Sequence, residues 1–221
     1  MRSFDAVLFD FGGVFTLSPF GALADASAEW GADPTVIHDV LFGPYDRDTD
    51  HPWHRLERGE LSLVDARAAI QQLAAAAGLE LDPFDALSRL GRDDGQRPQI
   101  VERARTVKAT GVRTACVTNN VAEFGNGWRA MIPVADLFDV IVDSSQSGVR
   151  KPDPAIFALA LDALEVRADR AVFLDDFPGN IAAAEAVGLR AILVGPDRLA
   201  AFDVLDALLT EQASPGPSEE R

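Results

Sequence analysis

Four stretches of this chain each carry an apolar run up to side chains able to handle phosphate or metal. Asp10 closes "VLFD", Thr118 and Asn119 close "TACVTN", Lys151 follows "FDVIVDSSQSGVR", and Asp175 and Asp176 close "VFLDD". Carboxylates gathered at one place repel one another unless a cation lies among them, and a hard, oxygen-liganded ion such as Mg²⁺ is the natural occupant. A nearby lysine neutralises an oxyanion, while the Thr118 hydroxyl and the Asn119 amide donate to phosphate oxygens. Nucleophile, metal, cation and hydrogen-bond donors are what phosphoryl transfer requires. Each residue alone has a plainer reading: an Asp after a strand caps a turn or helix, "TNN" is turn chemistry, and "KPDP" is a rigid link into a helix. Their order at four successive strand ends favours the chemical reading.

Such an arrangement needs a sheet whose strands all end at one edge. The sequence alternates β-rich runs with helical stretches, the pattern of a parallel sheet covered by helices. Strands are expected at 5–10, 112–118, 138–144, 170–176 and 190–195. "PAIFALALDALE" places Ile156, Leu159, Ala160, Ala163 and Leu164 on one helical face, with Asp153 as cap and Pro154 at the first position. "IAAAEAVGLR" reads as a helix ended by Gly188, and "RLAAFDVLDALLT" as a final one. Residues 19–95 show no strand-like run. They carry amphipathic helical segments, the clearest having Leu63, Ala66, Ile70, Leu73 and Ala77 at helical spacing. The expected fold is therefore α/β, a Rossmann-like parallel sheet core (1–18 and 96–210) with a helical cap (19–95) inserted after the first strand, roofing the strand ends where ligands bind. Residues 211–221, polar and rich in Pro and Gly, read as a disordered tail.

With 221 residues and 48% hydrophobic content, the chain can bury a full core. It has no continuous apolar run of about 18 residues, and Met1–Phe9 lacks the basic flank of a secretion signal. A cytoplasmic location is expected. A formal net charge of −15 disfavours nucleic acid and anionic membrane as partners; a small phosphorylated substrate remains compatible with a locally positive site. The single Cys116, inside "TACV", reads as a buried hydrophobe. Neither a "GxxxxGK" loop nor a "GxGxxG" after a strand is present, which argues against nucleotide cofactors. A receiver-type domain would place its acidic pair at the first strand, whereas here the pair ends the fourth.

From "VLFDFGGVF" through "CVTNN", "DSSQSGVRKPDPAIF" and "VFLDDFPGNIAAAEAVGLRAILV", the chain resembles the haloacid dehalogenase superfamily, in its phosphatase-like branch related to the N-terminal domain of soluble epoxide hydrolase. "WHRLERGELS" is similar to the helical caps of that branch. The resemblance implies a Mg²⁺-dependent phosphohydrolase in which Asp10 attacks phosphorus and the aspartyl-phosphate is then cleaved by water. It further implies that Thr118 and Asn119 bind the phosphoryl group and that Lys151 orders Asp10. Asp10, the Gly12 carbonyl and Asp176 would hold the metal with Asp175 beside them, and Asn180 stands where many relatives carry a second acid.

The departure lies at Gly12, where phosphatases of this family normally carry an aspartate that protonates the leaving group, a role typically worth about 10²–10⁴ in rate. Three readings follow from it. The chain is a phosphatase for a substrate with a good leaving group, or one whose cap supplies the acid. Alternatively it is a dehalogenase, although that chemistry needs no metal carboxylates. Or it binds a phosphorylated ligand without turnover. Asp46, Asp48, His51 and His54 are the cap groups considered for the acid, and His51 with His54 also has metal-pair spacing. For Tyr45, Trp53 and Trp128 plain packing is the default.

Overall fold

A computed structural model of the chain describes residues 3–18, 32–83 and 95–210. The expected tail at 211–221 and part of the expected cap, 19–31 and 84–94, lie outside the described residues. Five strands, β1 (Ala6–Phe9), β2 (Arg113–Thr118), β3 (Val140–Asp143), β4 (Ala171–Asp175) and β5 (Arg190–Leu193), form one sheet in the order β3-β2-β1-β4-β5. Every pairing is parallel. Each strand falls inside its expected stretch, and the α/β fold class holds. The helices the argument uses are α1 (Pro34–Phe42), α2 (Pro52–Glu57), α3 (Leu63–Ala76), α4 (Arg97–Ala109), α5 (Val134–Leu137), α6 (Ser144–Ser147), α7 (Pro154–Leu164), α8 (Pro178–Ala186) and α9 (Arg198–Thr210).

The strands were legible as continuous apolar runs because both sheet faces are covered. Val7 and Phe9 point to one face, where they meet Cys116, Val172 and Leu174 under α4 and α9. Ala6 and Leu8 point to the other, meeting Ala115, Val117 and Phe173 under α7 and α8. Phe9 lies opposite both Cys116 and Leu174, and Thr118 opposite Asp143. With all strands running the same way, the residues that end or follow them gather along one edge.

Two helical faces differ from expectation. In α7 the buried stripe is Ile156, Phe157, Ala160, Leu161 and Leu164, while Leu159 is 44% exposed and Ala163 is exposed. Phe157 turns the helix, packing edge-on against Phe173 of β4 at 5.2 Å. In α3 the buried stripe is Ala66, Ile70 and Ala74, with Leu73 and Ala77 exposed, because the contact follows a steady four-residue step. Asp153 does cap α7, its side chain accepting the Ala155 N–H at 2.8 Å, and Gly188, at φ +95°, follows α8 as expected.

Between β1 and β2 the described residues contain no strand. α1, α2 and α3 bury Ile37, Leu41, Phe42, Trp53, Leu56 and Ile70 against one another. The same cluster takes in Val121 and Phe177, from the loops after β2 and β4, so the helices sit on the sheet edge where the strands end. Among the described residues no helix is long and apolar enough to cross a membrane.

Candidate active site

Asp10 is the first residue past β1, and its N–H donates to the Leu174 carbonyl at 2.8 Å, which fixes its backbone against β4. The residue is 8% exposed, and Oδ1 accepts the Phe11 N–H at 2.7 Å and the Lys151 ammonium at 2.7 Å. The same ammonium, buried, donates to Asp175 Oδ2 at 2.7 Å. Asp175 is saturated: Oδ1 also accepts the Phe177 N–H at 2.8 Å, and Asn180 Nδ2 lies 3.1 and 3.0 Å from its two oxygens. Asp176 differs, since its Oδ2 is buried without a partner. Carboxylate oxygens of Asp10, Asp175 and Asp176 lie within 4.8 Å of one another.

One lysine faces three carboxylates here. Burial pushes the Asp10 carboxyl up to about 8, with Asp175 and Asp176 adding to the effect against the opposing pull of Lys151. Burial and Asp175 likewise push Asp176 up to about 7. Against the burial that would discharge it, Asp10 and Asp175 hold the Lys151 ammonium above its ordinary value. The site lacks positive charge, and two buried oxygens, Asp176 Oδ2 and Asn180 Oδ1, have no donor. Hard oxygen donors short of a counter-charge fit a divalent cation such as Mg²⁺. Among the described residues this is the one cluster of side chains placed to hold a metal.

Gly13 keeps the cluster open. It sits at φ +70°, and a Cβ there would overlap the Asp176 carboxyl carbon. Gly13→Ala is expected to cost at least about 2 kcal/mol from backbone strain and displaced Asp176, read as a lowered denaturant midpoint.

Thr118 is buried and lines a cavity of about 420 Å³ above Asp10, together with Gly12, Asn119, Lys151 and Asp176. The Asn119 side chain is already engaged: Oδ1 accepts the Lys151 N–H at 2.8 Å, and Nδ2 donates to the Lys151 carbonyl at 3.0 Å. The structure therefore brings Asp10, Gly12, Thr118, Asn119, Lys151, Asp175 and Asp176 to one place.

Other expectations resolve differently. Burial pushes His54 down to about 3, and its Nδ1 accepts from the Thr49 N–H and contacts the Thr49 hydroxyl at 2.9 Å. His51, pushed down to about 4 chiefly by burial, accepts the Trp53 N–H through Nδ1 and so caps α2. Burial favours the neutral form of both, Nδ1 of each is tied to local backbone, and neither belongs to the carboxylate cluster. Asp48 pairs with Arg58 and Arg150, and Asp46 with Arg47. Tyr45, Trp53 and Trp128 pack as expected and also line the cavity.

The sequence reading missed a buried polar knot beside this site. Glu57 Oε1 accepts from Tyr45 Oη at 2.7 Å and Trp53 Nε1 at 2.8 Å, and its Oε2 accepts from Arg150 Nε at 2.7 Å. The only local signal was the doubled cation in "GVRKPDP".

A family model described as haloacid dehalogenase-like hydrolase matches residues 4–188. The chain is 31% identical over 213 residues, 94% of its length, to acyl-CoA dehydrogenase family member 10 of Mus musculus, of which it spans 19%. It is 29% identical over 202 residues, 84% of its length, to bifunctional epoxide hydrolase 2 of Mus musculus, of which it spans 35%. Over 192 residues it is 30% identical to the sesquiterpene phosphatase astK of Aspergillus oryzae, covering 85% of this chain and 88% of that one. A solved HAD-like hydrolase from Porphyromonas gingivalis superimposes with TM-score 0.66 at 22% identity, over 95% of this chain and all of the other. The matched span and the parallel strands that deliver Asp10, Lys151 and Asp175 to one edge agree: the chain belongs to the haloacid dehalogenase-like hydrolases.

Proposed function

We propose that this hydrolase is a magnesium-dependent phosphohydrolase that cleaves small phosphorylated compounds through an aspartyl-phosphate on Asp10. The observation that carries this reading is the buried Asp10–Lys151–Asp175 contact, with Asp176 beside it, at the floor of a cavity of about 420 Å³. The phosphatase among its relatives supports it.

In this reading residues 1–18 and 96–210 are the catalytic core, 19–95 the cap, and the work is done in the cytoplasm. Asp10, Asp176 and the Gly12 carbonyl would hold Mg²⁺ with Asp175 behind them; when bound, the ion offsets phosphate charge that would otherwise repel a carboxylate. Lys151 holds Asp10 Oδ1, which leaves Oδ2 to bond to phosphorus as the bond to the leaving oxygen breaks. The Thr118 hydroxyl donates to a phosphoryl oxygen, and Asn119 keeps the Lys151 backbone in place. Water then cleaves the acyl phosphate, restoring the carboxylate and releasing inorganic phosphate. Release of phosphate by the purified protein with Mg²⁺, abolished by EDTA, is the expected result; no release over a broad panel of phosphomonoesters overturns the reading.

Two features narrow the substrate. Phe11, Phe42, Trp53, Val121, Trp128 and Met131 line the cavity, which suits a phosphate on an apolar body. Among the described lining residues outside the carboxylate–lysine cluster, neither acidic group is placed to protonate a leaving oxygen: Glu57 is committed to Tyr45, Trp53 and Arg150, and burial followed by Glu57 lifts Tyr45 well above the ordinary phenol range. The favoured leaving group therefore departs without a proton, as in an aryl or acyl phosphate. Turnover of p-nitrophenyl phosphate should exceed that of an alkyl phosphate of similar size by about 10²–10⁴, and Gly12→Asp should narrow the gap.

The metal assignment is tested apart from turnover. Asp176→Asn removes one of three mutually repelling carboxylates, so the metal-free variant should melt a few degrees above the wild type. The rise in melting temperature that Mg²⁺ gives the wild type should disappear in the variant.

A further inference from the structure

Glu57, at the end of α2, takes three hydrogen bonds on a carboxylate that is only 3% exposed, and one of their donors, Arg150, is fully buried. The Arg150 guanidinium also lies over the Tyr45 ring at 4.6 Å and reaches Asp48 at 3.3 Å. Arg150 immediately precedes Lys151, so the extended chain there sends one cation into the helical segment and the next down to Asp10. A second route starts from the same carboxylate: Tyr45 Oη, donating to Glu57, accepts from Asn119 Nδ2 at 3.3 Å, and Asn119 brackets the Lys151 backbone through its N–H and its carbonyl.

We propose that Glu57 is a positioning residue that sets the reach of the Lys151 ammonium to Asp10 from two sides, through Arg150 along the chain and through Tyr45 and Asn119 across the sheet edge. Seating α2 on the core and aligning the lysine are then one event, since the donors Glu57 gathers from Tyr45 and Trp53 belong to the helical segment and the donor from Arg150 belongs to the loop after β3. The consequence for turnover rests on the phosphohydrolase reading; the consequence for the backbone at Lys151 does not.

Glu57→Gln in the full chain tests it, because the amide keeps an acceptor for Tyr45 and Trp53 while removing the charge that holds Arg150. Hydrogen exchange read at residues 149–153 should speed up by about tenfold or more while exchange in β1, β2 and β4 stays unchanged. With p-nitrophenyl phosphate and Mg²⁺, kcat should fall about 10- to 100-fold with KM held within about threefold, the pattern of a displaced catalytic group. If the variant does not fold, Tyr45→Phe keeps the Arg150 pair and breaks the route through Asn119, and should move the same readouts in the same direction. Exchange that rises evenly over the whole chain, with kcat per folded molecule unchanged, marks a purely structural residue and overturns the proposal. A wild type that releases no phosphate overturns the phosphohydrolase reading instead, and exchange at Lys151 still decides this one.

Discussion

Asp10→Asn is expected to lower phosphate release by at least about a thousandfold while the protein remains folded. An amide of the same size keeps an acceptor for the Phe11 N–H and the Lys151 ammonium, both of which meet Oδ1, so the local geometry survives. What it loses is the anionic oxygen that, in the proposed phosphohydrolase reaction, bonds to phosphorus. The substitution also relieves a cost: burial pushes this carboxyl up to about 8, so its ionised form opposes the fold, and removing that charge should raise the melting temperature of the metal-free protein at alkaline pH. Inactivity paired with unchanged or greater stability separates a lost nucleophile from a lost fold. Phosphate release and thermal melting on one preparation check both, and retained turnover would mean that another group attacks phosphorus.

Lys151→Met should be the most damaging single change at the site, for stability as well as rate. The ammonium makes two 2.7 Å contacts to buried carboxylates, and methionine fills the stem volume while leaving Asp10 and Asp175 with no cation between them. Removing one partner of a buried pair typically costs about 3–5 kcal/mol. Here the loss should depend on pH in a definite direction. Asp10 already has its folded value raised above the ordinary 3.8, and without Lys151 it rises further. A carboxyl raised on folding destabilises the fold when ionised, so the variant should be weakest at alkaline pH and regain stability as pH falls toward 4. Denaturant midpoints at pH 8 and pH 5 measure this. A variant equally stable at both would show that the lysine does not carry the charge balance of the site.

Much of the site was legible because it rests on local signals. "VLFD", "TACVT" and "VFLDD" are apolar runs that end on polar residues, and a parallel sheet buried on both faces turns such runs into aligned strand ends. What escaped was decided by long-range packing. Nothing near Glu57 in the sequence announces that its partner is Arg150, 93 residues away. His51 and His54 carried the spacing of a metal pair, yet burial favours the neutral form of both, and Nδ1 of each accepts a backbone N–H, His51 capping α2 and His54 meeting Thr49. The buried face of α7 turned on Phe157 meeting Phe173, a contact that helical periodicity alone does not choose.

β1 lies at the centre of the sheet, with Ala6 opposite both Arg113 and Ala171, so the segment bearing Asp10 is flanked by partners made far later in translation. Pairings so distant along the polypeptide are costly to close and form late. A ribosome-bound nascent chain synthesised only as far as residue 100 therefore presents the Asp10 carboxylate without its lysine or its acidic neighbours. The carboxylate–lysine cluster is completed nearly all at once, when the stretch around Asp175 has emerged and slotted in beside β1.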